Sequence, residues 1–345
     1  MLDIQIINPV EHPNWDQLIL TNDQSIFFHT SAWARVLHES YRYKPLYFTS
    51  IENGKLRALL PIMEVKSFLT GSRGVSLPFA DHCPPMAENE NAFNEMFKEV
   101  INYGKKANWK SIDLKCCVTY LRGTTLPYET YLTHDLDVSH TEQEIFSAFR
   151  DSTKRNIKKA IQKSVHVNIR NTMESVKEYY GLNCITRKAH GLPPQPLYFF
   201  KKIYEYIISK KKGFVALATY EKKVIAGAIF FQFGNQVIFK YGASDPRHLH
   251  LRPNNIVMWE AIKWHCLNGA TIFNFGRTEL KNKGLLQFKR GWGTKEEILN
   301  YYKYDLKKDC FLTREAGIKS SYNFFRFMPI PILRLTGNLL YRHVG

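Results

Sequence analysis

The chain has 345 residues, of which 44% are hydrophobic and 14% aromatic, and this composition excludes a disordered chain while leaving room for two domains. Its 48 Lys and Arg against 31 Asp and Glu give a net charge of +17, which favours polyanionic partners such as nucleic acid, anionic lipid or phosphorylated precursors. The six cysteines form no Cys-x-x-Cys pair and no apolar run reaches the roughly 20 residues of a membrane span, so we expect no metal site, no disulfide framework and no transmembrane helix.

The first elements along the chain form a predicted β-hairpin. Residues 46–51 and 56–62 are apolar or alternating runs that flank the turn-forming segment Glu52–Lys55. A segment with helical periodicity, 92–106, leads into a short strand at 111–114. Residues 1–15 lack the basic start and apolar core of a signal peptide, so the sequence predicts a cytoplasmic protein.

Asp81 and His82 lie between this hairpin and the helix. They follow the apolar residues 77–80, at the expected end of a strand, where polar side chains can face a cleft. The alternative is a turn-capping pair in a proline-rich loop.

The most basic helical segment covers residues 142–163. Helical spacing places Lys154 and Lys158 in one row of like charge and Arg155 and Lys159 in a second. Such rows destabilise an isolated helix, and an anion opposite them would offset that cost. A solvated helix face is the alternative.

The pattern of the first half then recurs. Residues 214–219 and 224–231 form a second hairpin, 236–241 a third strand, 255–267 a helix and 270–275 a strand. Two related domains follow from this repeat, 1–140 and 141–310. The second begins with the basic helix, and residues 311–345 form a tail.

The segment Gly284–Gly293 follows the last predicted strand. It places the adjacent cations Lys289 and Arg290 among aromatic side chains and glycines, which predicts a loop that holds a charge near a reacting group. A solvated cation pair is the alternative.

The tail is aromatic and aliphatic over residues 323–344 and is punctuated by arginines. This composition suits a segment on a membrane surface, with the arginines on anionic lipid. Packing onto the second domain is the alternative. The sequence therefore allows peripheral contact with the inner face of the cell membrane.

The order of these features resembles the Fem-type aminoacyltransferases. The matching features, in chain order, are the basic helix at Arg155–Ala160, the hairpin, Tyr241–Ser244, the helix at 255–264, Phe275-Gly276 and Gly284–Gly293. The resemblance runs from Phe27 to about Asp305. It implies an α/β (α+β) fold of two tandem domains of the acetyltransferase superfamily known as GNAT, each a mixed, largely antiparallel sheet flanked by helices.

The same resemblance implies roles for individual residues. The catalytic Phe-Lys pair of the family falls on Phe288 and Lys289, and its basic helix on Arg155 and Lys158. A fixed cation at Lys289 would stabilise the negative charge that develops on a carbonyl oxygen when an amine attacks it.

Further residues are candidates for the reaction and for substrate binding. Asp81 is the candidate base, with His82, His248, His250 or a buried tyrosine as alternatives, and a leaving hydroxyl that takes the proton would make a protein base unnecessary. Substrate contacts are expected for His82 and for Arg277, which could instead pair with Glu279. Tyr241 and Trp292 would line a cleft or pack in the core.

The donor expected from this resemblance is aminoacyl-tRNA. Acetyl-CoA enzymes of the superfamily bind the pyrophosphate in a glycine-containing turn, whereas the corresponding segments 245–255 and 80–88 contain no glycine. Arg247 and Arg252 keep acyl-CoA open as the alternative co-substrate, and no other cofactor is expected.

The sequence also lacks the long coiled-coil insertion of the staphylococcal proteins, which indicates a shorter branch of the family. It predicts an acyltransferase that forms an amide on an amine of a cell-envelope precursor, related to peptidoglycan or exopolysaccharide. The alternatives are a CoA-dependent N-acyltransferase acting on a sugar or lipid-linked amine and a non-catalytic protein that binds polyanions or membranes.

Overall fold

The computed structural model of the chain describes residues 2–115, 119–121, 125–313 and 323–345. Its strands, in chain order, are β1 Gln5–Ile7, β2 Lys44–Glu52, β3 Lys55–Val65, β4 Arg73–Val75, β5 Ser111–Lys115, β6 Glu129–Asp137, β7 His166–Arg170, β8 Gly213–Tyr220, β9 Lys223–Phe233, β10 Gln236–Ser244, β11 Ile272–Asn274, β12 Thr278–Glu279, β13 Lys295–Asp305 and β14 Cys310–Leu312. Its α-helices are α1 Trp15–Leu20, α2 Ser31–Tyr41, α3 Glu90–Lys106, α4 Glu142–Ala148, α5 Asp151–Gln162, α6 Met173–Ala189, α7 Leu197–Ile203, α8 Pro253–Leu267, α9 Lys283–Arg290 and α10 Ile330–Val344. Within these ranges, no helix combines the length and the apolar character needed to cross a bilayer.

The chain divides into two compact units. Unit 1 contains the described residues of Met1–Tyr131, Ile298–Ile318 and Tyr341–Gly345, and unit 2 those of Leu132–Glu297 and Lys319–Leu340. Residues 298–310, which the sequence pattern assigned to the second domain, thus lie in unit 1. The reason is a long-range strand pairing: β13 runs antiparallel to β5, with Tyr302 opposite Leu114.

The sheet of unit 1 has the strand order β1-β2-β3-β4-β5-β13-β14. β2 and β3 form the predicted hairpin, in which Leu46 lies opposite Ile62. After β4 the chain passes through α3 and returns as β5, which pairs parallel to β4. The order of hairpin, helix and parallel strand confirms the first half of the predicted repeat.

Helix α3 closes one face of this sheet. Its N-terminus is capped by Asn89, whose side chain accepts a hydrogen bond from the amide of Ala92, and its last turn carries Lys105 and Lys106. Phe93 and Met96 from its apolar face are fully buried in a core that also contains strand residues of the hairpin. Burial of such a face is what stabilises a short amphipathic helix.

Unit 2 repeats this arrangement with the strand order β6-β11-β10-β9-β8-β7. β8, β9 and β10 are antiparallel neighbours, and the chain then passes through α8 to β11, which pairs parallel to β10. The second half of the predicted repeat is therefore also confirmed.

The alternation of side chains along the strands of unit 2 defines two faces. Ala216, Ala228 and Phe230 point into a core shared with α5 and α8. On the opposite face, Gly227 lies close to Leu217 and to the ring of Tyr179 on α6, and a side chain at this position would collide with Leu217. Helices thus cover both faces of this sheet.

The basic segment 142–163 folds as two helices, α4 and α5, whereas one helix was predicted. Thr141 and Glu144 form a capping box at the start of α4, and Phe149 and Arg150 between the helices have extended backbone. The break follows from burial, because it allows the Phe149 ring to pack edge-on against Trp259 and Trp292.

Candidate functional site

The parallel strands β10 and β11 of unit 2 separate after a short pairing. They pair at residues 236–238 and 272–274, after which β10 continues to Ser244 while β11 ends. The next residue, Phe275, donates its amide to the carbonyl of His134 on β6. The two strands therefore diverge at the carboxyl end of β11, which is where open α/β sheets bind ligands.

The segment Gly284–Gly293 begins as a helix, α9, and the prediction of a loop is wrong for residues 284–290. Asn282 caps α9 by accepting a hydrogen bond from the amide of Leu285, while Leu286 and Lys289 lie on its buried side. Cap and burial stabilise α9 although it contains Gly284.

Lys289 is buried at the carboxyl end of β11. Its side chain is only 2% exposed, and its Nζ donates hydrogen bonds to the carbonyls of Gly276 at 2.8 Å and Arg277 at 3.1 Å. Gly276 adopts a φ of +70°, which favours glycine, and its amide donates to the Asn274 side chain. This turn thus fixes an ammonium group beside the separation of the two strands.

A second group of ionisable side chains adjoins Lys289. His134, on β6, is fully buried, and its Nδ1 lies 3.4 Å from Oε1 of Glu296. Glu296 in turn accepts two hydrogen bonds from Arg290, at 2.7 and 2.9 Å, so Arg290 is paired and not merely solvated. Burial, and after it the charge of Lys289, lower the pKa of His134 to about 4, which leaves the imidazole neutral at pH 7.

His134 is the residue near Lys289 that the sequence analysis missed. It is separated from Lys289 by more than 150 residues, and its strand shows no motif. The only available signal was a histidine within a strand-forming stretch, and most such histidines pack in the core.

Phe288 and Trp292 lie next to Lys289 on the α5 and α8 face. Trp292 is fully buried and packs against Phe149 and Phe275, and the Phe288 ring lies 5.9 Å from the Trp292 ring. Of the two roles that the sequence left open for Trp292, the structure shows core packing. Phe288 is partly exposed.

The basic helix α5 begins next to the end of α9. The amide of Arg150 donates to the carbonyl of Gly291 at 2.9 Å, and a side chain at Gly291 would collide with the Thr153 hydroxyl. Arg155 and Lys158 lie on the exposed side of α5, while Ile157 is buried. The structure therefore joins the basic helix to the Lys289 segment through backbone contact at its first turn.

Tyr241 lies on the other face of the sheet. Phe239 pairs with Phe230 but Tyr241 pairs with Ile229, so Lys240 is an extra residue that forms a β-bulge. The bulge turns Tyr241 towards α7, where its ring contacts Phe200 at 5.6 Å.

Tyr241 there borders a polar cavity of about 280 Å³. The lining residues are Tyr179, Asn183, Thr186, Arg187, His190, Gln195, Lys240, Tyr241 and Gly242. Burial raises the pKa of Tyr179, and burial followed by the charge of Arg187 lowers the pKa of His190. Because Arg187 and Lys240 are cationic and His190 is disfavoured as a cation, the cavity suits an anionic group with hydrogen-bonding substituents.

Arg277 follows the turn at Gly276, and its side chain is exposed. Its predicted alternative partner, Glu279, pairs with Lys281 at 3.1 Å. The role of Arg277 in binding a substrate stays a prediction.

Asp81 and His82 lie in unit 1 and are partly exposed. The carbonyl of Asp81 accepts a hydrogen bond from the Tyr301 hydroxyl, and the His82 ring packs edge-on against Phe28 at 6.4 Å. The predicted roles of Asp81 as base and His82 as a substrate contact stay predictions.

The turn between β10 and α8 contains a carboxylate side chain, Asp245. The Asp245 side chain accepts hydrogen bonds from the Arg247 amide at 3.0 Å and from the Arg247 guanidinium at 2.6 to 3.1 Å. These bonds hold the pKa of Asp245 at about 2. Arg247 is thereby paired within the segment 245–255, which the sequence analysis compared with the pyrophosphate-binding turn of acetyl-CoA enzymes.

Comparisons of sequence agree with this architecture. Residues 147–290 match the family model of the acetyltransferase (GNAT) domain. Two lipid II:glycine glycyltransferases from strains of Staphylococcus epidermidis are each 34% identical to the chain over 76 residues, which is 20% of this chain. The match spans 18% of the length of these curated relatives.

Solved structures extend the likeness in fold to most of the chain. FemX superimposes with a TM-score of 0.69 at 14% identity, covering 89% of this chain and 98% of that one. A tandem GNAT protein from the clavulanic acid biosynthesis pathway gives a TM-score of 0.56 at 6% identity, covering 89% and 99%. The predicted fold class, two tandem GNAT-like domains, is confirmed.

Proposed function

We propose, from the GNAT-domain match and the FemX-like fold, that the chain is a Fem-type acyltransferase of cell-envelope synthesis. It transfers an aminoacyl or acyl group to an amine of a peptidoglycan precursor. The observation that carries the proposal is the buried Lys289 ammonium at the carboxyl end of β11. The match to lipid II:glycine glycyltransferases supports the class of reaction.

The reaction converts an ester or thioester into an amide. The acceptor amine attacks the donor carbonyl carbon, so that a C–N bond forms and the C–O or C–S bond breaks. The leaving hydroxyl or thiol takes up the proton that the amine loses. Negative charge collects on the carbonyl oxygen in between, and a preorganised cation stabilises that state more than the ground state.

Lys289 suits this task because the protein holds its ammonium group in place before any substrate binds. The carbonyls of Gly276 and Arg277 orient the ammonium, and the packing of α9 keeps water away from it. A cation in such surroundings acts more strongly on a developing charge than one in bulk water.

The donor that fits best is an aminoacyl ester of tRNA. A CoA pyrophosphate at the turn between β10 and α8 would meet the Asp245 carboxylate, whose own partner is Arg247. Like charges placed close together disfavour binding. The exposed cations Arg155 and Lys158 on α5 supply contacts of the kind that RNA phosphates need.

The acceptor is a precursor with anionic groups, peptidoglycan-related in the first instance and exopolysaccharide-related as the narrower possibility. The cavity lined by Arg187, His190 and Lys240 accepts such a group through charge and hydrogen bonds. Arg277 at the turn after β11 is a second contact for it.

Transfer assays with the purified chain test the proposal. Labelled aminoacyl-tRNA and labelled acyl-CoA are offered separately with a muropeptide precursor, and amide formation is followed by mass spectrometry. We expect amide from the aminoacyl-tRNA reaction and an approximately 10²- to 10³-fold slower reaction for Lys289→Met. Lys281→Met, which replaces a lysine that is 76% exposed, is the matched control and should react like the wild type.

Two outcomes would replace this proposal. Amide formation from acyl-CoA alone would favour the CoA-dependent N-acyltransferase. Absence of transfer from both donors, with tRNA or vesicle binding intact, would favour a non-catalytic binding protein.

A further inference from the structure

An apolar stripe lies exposed on the segment 323–340 of unit 2. Its members are large side chains that a soluble surface usually buries: Phe324 at 70% exposure, Phe327 at 85%, Ile332 at 49%, Leu335 at 60% and Leu339 at 63%. Scattered exposed apolar residues are ordinary, whereas a set of them within one short segment marks an interaction surface.

The members of the stripe that lie in α10 follow the periodicity of this helix. Leu333 and Gly337, four residues apart, lie on the buried side of the helix. Ile332, Leu335 and Leu339 follow one another at spacings of three and four residues and form a separate exposed row. Residues at these spacings share one side of a helix, so the row is continuous along α10.

The buried side fixes α10 to unit 2. Leu333 is fully buried, and a side chain at Gly337 would collide with the carbonyl of Pro194. The Arg334 guanidinium lies 5.3 Å from the centre of the Tyr180 ring on α6. The helix is therefore held in one orientation, with the apolar stripe turned outwards.

The charges along the segment all have one sign. Residues 323–340 contain Arg326 and Arg334 and neither Asp nor Glu. Both arginines are exposed. An apolar row flanked by arginines and free of acidic residues complements a surface that is apolar inside and anionic at its face.

We infer that the apolar stripe docks the protein on an anionic lipid surface. The apolar side chains enter the boundary between headgroups and acyl chains, and the exposed Arg326 meets lipid phosphates. A lipid surface is favoured over a protein partner because the absence of acidic residues matches a uniformly anionic plane and the net charge of +17 reinforces the attraction at long range.

This inference stands apart from the proposed transfer reaction. Lys289→Met should bind vesicles like the wild type, and stripe variants should retain transfer to a soluble acceptor. Failure of one claim therefore leaves the other intact.

Vesicle sedimentation with the full chain tests the inference. We expect binding to phosphatidylcholine vesicles that contain phosphatidylglycerol, weaker binding at high salt, and little binding to pure phosphatidylcholine. The triple variant F327S/L335S/L339S should bind at least about tenfold more weakly. Leu267→Ser is the matched control, because Leu267 is 85% exposed in the same unit but outside the stripe, and it should bind like the wild type.

A second measurement, tryptophan fluorescence at a single position, controls for a folding defect in the triple variant. Tryptophan emission should shift to the blue when phosphatidylglycerol vesicles are added to Leu335→Trp, and should stay unchanged for Leu267→Trp. Equal vesicle binding by wild type and triple variant would overturn the inference. The inference would also be overturned if the wild type formed a dimer and bound no vesicles while the triple variant was monomeric. That result would assign the stripe to contact between two copies of the chain.

Discussion

The two units of this protein both contain a buried charged side chain, Glu64 in unit 1 and Lys289 in unit 2, and they stabilise these two charges in different ways. In unit 1, Glu64 on β3 is 4% exposed, and its carboxylate accepts a hydrogen bond from the indole of Trp109 at 2.9 Å and lies 3.3 Å from the Lys66 ammonium. In unit 2, Lys289 donates to backbone carbonyls just beyond the end of β11.

The difference indicates which repeat carries chemistry. Glu64 lies within a strand and is held by side chains on neighbouring elements, as expected for a structural polar contact. Lys289 lies where a strand ends and the chain leaves the sheet, the place where substrates reach an α/β fold. The same architecture thus contains a structural charge in one copy and a candidate catalytic charge in the other.

Acidification should produce the largest effect on stability and involves both units. Burial lowers the pKa of His29 in unit 1 to about 4, of His134 in unit 2 to about 4 and of His265 in unit 2 to about 3. In the unfolded chain these histidines take up protons near pH 6.5, whereas in the folded chain they stay neutral until the pH is much lower. The free energy of unfolding is therefore fully retained above pH 6.5 and falls as the pH approaches 4. We expect a loss on the order of 2 kcal/mol per histidine at about pH 4.5, measured by urea unfolding against the value at about pH 7.5.

His265→Phe sharpens this experiment for unit 2. His265 is surrounded by Phe214, Phe230 and Phe273, and neither ring nitrogen has a hydrogen-bond partner in the described part of the chain. Phenylalanine should keep the packing and remove the contribution of one histidine to the loss of unfolding free energy at low pH. An unchanged pH dependence in this variant would contradict the assigned cause.

The same substitution should cost different amounts in the two units. Trp109→Phe removes the donor that stabilises the buried Glu64 carboxylate, whereas the Trp292 indole nitrogen makes no hydrogen bond within the described ranges. We expect Trp109→Phe to lower the free energy of unfolding by about 1–3 kcal/mol more than Trp292→Phe. Chemical denaturation of both variants measures this, and equal losses would show that the Glu64 contact contributes little.

The smallest effects should come from exposed ion pairs. Arg290 pairs with Glu296 in unit 2, and Arg57 pairs with Glu52 and Glu88 in unit 1. Arg290→Gln and Arg57→Gln should each leave the free energy of unfolding almost unchanged, and any loss should shrink further at high salt. A much larger loss for Arg290→Gln would mean that Glu296 is needed to hold His134 in place.

Much of the fold could be predicted from the sequence because its signals are local. Alternating strands, turn residues and helical periods identified both hairpins, α3, α8 and the strands that follow them. The pairing of β13 with unit 1 could not be predicted, because it joins segments almost 190 residues apart.

The candidate site was harder to predict from the sequence, for physical reasons that differ from residue to residue. The glycines around Lys289 favoured a loop, but the Asn282 cap and the burial of Leu286 stabilise a helix. Tyr241 was expected to line a cleft or pack in the core, and one extra residue at Lys240 turns its ring towards α7, where it borders a polar cavity. His134 reaches Glu296 only through tertiary packing.

One measurement tests the central claim most directly, namely the rate of amide formation by Lys289→Met and Glu64→Gln side by side. Gln at position 64 keeps an acceptor for Trp109, and the folding of both variants is checked by thermal unfolding. The account predicts an approximately 10²- to 10³-fold loss for Lys289→Met and a rate near that of the wild type for Glu64→Gln. A folded Lys289→Met variant with the wild-type rate would contradict it.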